Sequence, residues 1–193
     1  ELFVFTMGLT EGWVHNDDGT VYPTAPGTLV GTYNPETYSL KNFTHTEVLT
    51  DFLRFREIIH ARQKDRCKFL LTVSPVPLAA TAEQQHVMVA TVYSKAVLRA
   101  AAGELAQYAD IDYFPSYEII TNPWQTEVMY EKNLRSVKAD GVRQVMNLFF
   151  DAHSGSFCKS HESTNLSSEV DKFDDMDVVC EEEVLNAFGR KNC

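Results

Sequence analysis

Two short apolar runs constrain this chain more than anything else in it. Leu2–Met7 reads LFVFTM and is closed by Gly8; Lys68–Val73 reads KFLLTV and is stopped by Ser74-Pro75-Val76-Pro77. Runs of this length without polar alternation suit strands buried on both faces, as in a parallel sheet. Proline ends the second run because it has no N–H for a central ladder. A third short run, 111–114, ends at Pro115.

Helical patterns fall between and after these runs. Thr44 and Glu47 have the spacing of a capping box. Beyond them Val48, Leu49, Phe52, Phe55 and Ile59 return at three- and four-residue steps, which predicts a helix to about residue 65. The Ala-rich stretch 91–108 predicts a second, with Val92, Ala96, Leu98, Ala102 and Leu105 facing inward. Residues 140–152 predict a third, with Val142, Val145, Met146 and Phe149 inward. Residues 13–22, with Asn16-Asp17-Asp18-Gly19 at the turn, read as a hairpin, and 23–42, with three prolines, as loop. Strand alternating with helix is α/β architecture around a parallel sheet.

The division expected is an α/β domain over 1–152, a polar, Ser-rich linker over 153–176 and a terminal helix within 177–193. The first strand begins almost at Glu1, and three strands are thin for an open sheet. Both lead us to expect further strands in sequence ahead of Glu1. The net charge of −10 argues against nucleic acid as the main partner, which needs basic surface. Arg54, Arg56, Arg62, Lys64 and Arg66 are interleaved with acids and read as a solvated face. No run is long enough to span a membrane. Cys67, Cys158, Cys180 and Cys193 show no metal-ligand spacing; free thiols suit a reducing cytosol, and the expected location is cytoplasmic. No cofactor motif or zinc spacing is present, and neither a cofactor nor a metal is expected.

Sites in open α/β sheets lie beyond the carboxyl ends of the strands. Here those ends are residues 8–11, 74–77 and 115–118. Glu11 and Glu118 are then two carboxylates near one edge, able to divide acid and base roles or simply to orient loops. Ser74 and Ser116 follow strands directly, but neither lies in G-x-S-x-G. Trp13 and Trp124 are either platforms for a sugar face or buried against the sheet edge, burial being the reading favoured.

Beyond these patterns, FTMGLTEGWV, DGTVYPTAPGT, LLTVSPVPLAAT, VYSKAVLRAAAGEL and YFPSYEI together resemble the GSCFA family, with weaker agreement in GVRQVMNLFF and VVCEEEVLNAF. That family is related to the SGNH hydrolases. The resemblance implies a flavodoxin-like α/β/α sandwich with a five-stranded parallel sheet, and a nucleophilic serine ahead of Glu1. It places Gly8-Leu9-Thr10-Glu11 at the SGNH Gly-x-Asn-Asp block, with Thr10 as oxyanion donor and Glu11 fixing the loop. It places Asn133 and Ser136 at the family's Asp and His positions, where neither residue can orient or be a base. Gly8, Thr10, Glu11, Ser74 and Glu118 are the expected substrate-binding residues. The implied function is an esterase or acyltransferase acting on acyl esters, possibly of glycans. The alternative is a glycan-binding or scaffold domain of the same fold that has lost catalysis.

Overall fold

The computed structural model describes residues 1–22, 24–28, 31–63, 67–124 and 127–157, the last five as backbone. Its elements are β1 (Leu2–Met7), β2 (Glu11–His15), β3 (Val21–Tyr22), β4 (Tyr38–Asn42), α1 (His45–Gln63), β5 (Lys68–Val73), α2 (Val87–Leu105), β6 (Ile111–Tyr113), α3 (Ser116–Thr121) and α4 (Ala139–Phe157). β1, β5 and β6 form a parallel sheet in that order, and β3, β2 and β4 a small antiparallel one. With helices against both faces of the parallel sheet, the chain is an α/β sandwich.

β5 is central and buried along nearly its whole length, as its unbroken apolar run requires. One face of the sheet packs on α1 and α2. Phe69, Leu71 and Val73 meet Phe52 of α1 and Leu98, Ala102 and Leu105 of α2 there. Phenylalanines knit that face together: Phe3 lies 5.3 Å from Phe55, and Phe52 5.8 Å from Phe69, both edge-on. On the other face α3 lies against β5, and α4 packs on α3. Thr72, on that face, meets the hydroxyl of Ser116 at the start of α3.

β1 behaves differently from β5 despite a similar composition. It is an edge strand among the described residues, and only Phe3, Phe5 and Met7 reach the core. Leu2 and Val4, on the opposite face, are 51% and 54% exposed. Burial on both faces thus holds for β5 and not for β1. Three parallel strands are described where the family resemblance implies five.

The predicted hairpin forms, with Trp13 opposite Tyr22. The region 23–42 is not all loop: β4 pairs with β2, Trp13 opposite Leu40. The run Tyr38–Asn42 alternates weakly and carries no strand signal of its own; its partner creates it. The short helix α3 was likewise unforeseen.

The capping box at the head of α1 forms, Thr44 N–H donating to Glu47 Oε2 at 2.9 Å and Glu47 N–H to Thr44 Oγ1 at 3.4 Å. α2 starts earlier than predicted, behind His86, whose Nδ1 accepts from Met88 N–H. Its inward face also differs: Val92 and Ala96 point outward, while Ala90, Ser94, Lys95 and Ala101 are buried. In α4, Val142 and Met146 are exposed, and the helix continues to Phe157. The rest of the expected linker and the terminal helix lie outside the described residues.

Two outcomes follow. Phe69→Ala empties the centre of the aromatic cluster and should cost about 3–5 kcal/mol in urea unfolding. Glu47 is held by Lys41 first and by Thr44, which lowers its carboxyl from 4.5 to about 2. A lowered folded value stabilises above pH 4.5 and is lost as pH falls towards 2. The acid-side loss of thermal stability over that window should therefore be shallower in Glu47→Gln than in wild type.

Candidate functional site

The parallel register brings three loops to one end of the sheet. Ser74 N–H donates to the Met7 carbonyl at 2.9 Å, so residues 8–11 and 74–77 leave side by side. Phe114 N–H donates to Leu71 O at 2.7 Å, and Ser116 Oγ to Val73 O at 3.1 Å, which sets residues 115–118 next to them. A fourth segment joins: the Tyr130 hydroxyl donates to Pro75 O at 2.9 Å. Burial, with Tyr117 adding to it, pushes the Tyr130 phenol up to about 12, so it stays a neutral donor at physiological pH.

The first loop is held from beneath by α2. Thr10 is 1% exposed, and all its polar groups are engaged. Its N–H donates to Ser94 Oγ at 2.8 Å, its hydroxyl to Asn42 Oδ1 at 2.7 Å, and its carbonyl accepts from Phe43 N–H at 2.9 Å. Lys95, 2% exposed, donates from Nζ to the Gly8 carbonyl at 2.8 Å. Gly8 itself is exposed, and a Cβ built on it would meet nothing within 4 Å.

The two carboxylates are brought to the same end of the sheet but tied to different partners. Glu11 accepts from Thr81 Oγ1 at 2.7 Å, and Thr81 Oγ1 accepts from Glu83 N–H at 3.0 Å, so Glu11 orders the segment leading to α2. Glu118 accepts from Arg99 Nε and, at 2.8 Å, from the Tyr113 hydroxyl. The Arg99 guanidinium also lies 4.3 Å from the centroid of the Tyr113 ring. Burial and Glu118 hold the Tyr113 phenol well above its usual range. Ser74 Oγ accepts from Val76 N–H at 3.2 Å, which shapes the turn after β5.

Asn133 and Ser136 bond to each other. Asn133 Nδ2 donates to Ser136 Oγ at 2.9 Å, and Asn133 Oδ1 accepts from Ser136 N–H at 2.9 Å. They shape the turn between Tyr130 and Val137, which pair across it, and Leu134 takes a positive φ of 56° within it. Trp13 is half-buried on β2, edge-on to Tyr33, whereas Trp124, expected to be buried, is 88% exposed. Beside the crevice an open groove of about 420 Å³ runs along α2, lined by Val92, Lys95, Ala96, Arg99, Ala100 and Gly103 and by Tyr117 of α3.

Among the described residues no three His, Cys, Asp or Glu side chains come together to hold a metal ion. No helix among them is long and apolar enough to cross a membrane. Sequence reasoning missed Ser94, Lys95, Asn42 and Tyr130. Ser94 carried a signal, since it lies four residues from Ala90 and four from Leu98 on one helical face.

No curated protein and no solved structure matches the chain. The GSCFA family model matches residues 1–149, which span the parallel sheet, the antiparallel sheet and all the loops of the crevice. The chain therefore belongs to the GSCFA family.

Proposed function

We propose that this chain forms the acyl-holding part of an SGNH-like esterase or acyltransferase site, with O-acylated glycans as the substrate class. The attacking serine comes from sequence ahead of Glu1. Its Oγ bonds to the ester carbonyl carbon, and the carbonyl oxygen takes up the negative charge. Collapse then breaks the ester C–O bond, and the serine proton passes to the leaving alkoxide. The base lies outside positions 133 and 136, because neither Asn nor Ser accepts a proton near neutral pH.

Gly8 carries this reading. Its backbone is not in the left-handed region, and no neighbour crowds its Cβ, so neither conformation nor packing demands glycine. A bare backbone at the carboxyl end of a parallel strand lets a reacting carbonyl approach the peptide groups. β1 supports the origin of the serine. Its edge, unpaired among the described residues, carries no lysine, proline or bulge of the kind that guards free edges, and it suits pairing with a further strand.

A second reading, a glycan-binding or scaffold domain without catalysis, is favoured by Trp124 and by the mutual bonding of Asn133 and Ser136. An exposed indole is a ready platform for a sugar face.

The deciding measurement is p-nitrophenyl acetate hydrolysis by the full-length gene product. Turnover is expected to depend on the upstream serine. Gly8→Val should lower it on the order of 100-fold by displacing the acyl group, with unfolding free energy within about 0.5 kcal/mol of wild type. Absence of serine-dependent turnover would overturn the enzyme reading. In that event, calorimetric binding of an acetylated oligosaccharide, weakened severalfold in Trp124→Ala, would support the second.

A further inference from the structure

We propose that Lys95 is a positioning residue of the crevice, and that the backbone N–H of Leu9 is the oxyanion donor it prepares. The chemistry rests on the acyl-ester reading and deepens it. Lysine is seldom fully buried, yet Lys95 is, with its ammonium on the Gly8 carbonyl at 2.8 Å. The peptide joining Gly8 to Leu9 is trans, so the Leu9 N–H points opposite to that carbonyl and hence away from Lys95. Among the described residues this N–H has no acceptor. A donor on the carbonyl draws electron density through the amide and strengthens the N–H at its other end.

The residue that follows is immobilised. Ser94, Asn42 and Phe43 engage the N–H, hydroxyl and carbonyl of Thr10. The Thr10 hydroxyl, which stands where the family resemblance puts the donor side chain, is committed to Asn42. Thr10 is thus the anchor, and the amide one residue earlier is the group left to meet an anion. A donor fixed before the substrate arrives needs no reorganisation when charge develops on the carbonyl oxygen.

The test is an acetate titration of the ¹⁵N-labelled full-length protein at neutral pH, followed at the Leu9 amide and compared with Lys95→Met. Acetate should shift the wild-type Leu9 resonance downfield. Binding should weaken roughly fivefold in Lys95→Met, the scale of losing charge assistance, while the melting curve stays cooperative. A wild-type Leu9 resonance that ignores acetate would overturn the proposal, as would equal affinity in the folded variant. Should Lys95→Met fail to fold, the wild-type titration decides alone. A Leu9 response to acetate without any ester turnover would support the donor and overturn the acyl-ester reading.

Discussion

The ammonium of Lys95 lies under the loop that leaves β1, bonded to the Gly8 carbonyl and shielded from water. A buried charge survives only where protein groups replace its hydration. That requirement ties the loop to the helix: were residues 8–10 to move, Lys95 would lose the Gly8 carbonyl and Ser94 the Thr10 N–H. The same helix is locked in rotation by Leu98, Ala102 and Leu105, which pack into the core about one, two and three turns further on. Core and site are in this sense one mechanical piece. The apolar face of α2 determines where its two polar residues reach, and they determine the backbone of the crevice.

The small antiparallel sheet has a place in the same arrangement. β2 continues directly from the loop, and β4 pairs with it so that Asn42 stands opposite Glu11. This register delivers the Asn42 side chain to the Thr10 hydroxyl. The hairpin and β4 thus form an arm that holds the loop through Thr10, as α2 does. At the far end of the parallel sheet, Arg56 of α1 grips Asp110 through two hydrogen bonds of 2.7 Å, just before β6. His60 adds a contact to Asp110 at 3.2 Å. That end is tied by paired charges; at the crevice end Ser94 and Lys95 hold backbone groups of the first loop beside the Arg99–Glu118 pair.

Much of the frame was readable from residue pattern. KFLLTV and its prolines located the central strand, Thr44 and Glu47 located a helix start, and Asn16–Gly19 located the hairpin turn, because each is a local rule with a local cause. β4 was not readable, since YSLKN becomes a strand only through β2. The inward face of α2 was misread for an instructive reason. Apolarity pointed to Val92 and Ala96, but the helix turns Ser94 and Lys95 inward because the loop over them has unmet hydrogen bonds. Glu11 and Glu118, marked for their charge, bond to Thr81 and to Arg99 and Tyr113.

The formal charge of −10 is a property of the surface and says little about the crevice. Exposed carboxylates act through water and salt, and their fields fade within about 10 Å. Lys95, 2% exposed, acts at hydrogen-bond range on the peptide that follows Gly8. Arg99, one turn further along α2, is matched by Glu118 and contributes little net charge to the same space. Lys95 therefore acts on the crevice at close range, through its bond to the Gly8 carbonyl, and on the acyl-ester reading an acidic surface does not prevent such local help to a developing oxyanion.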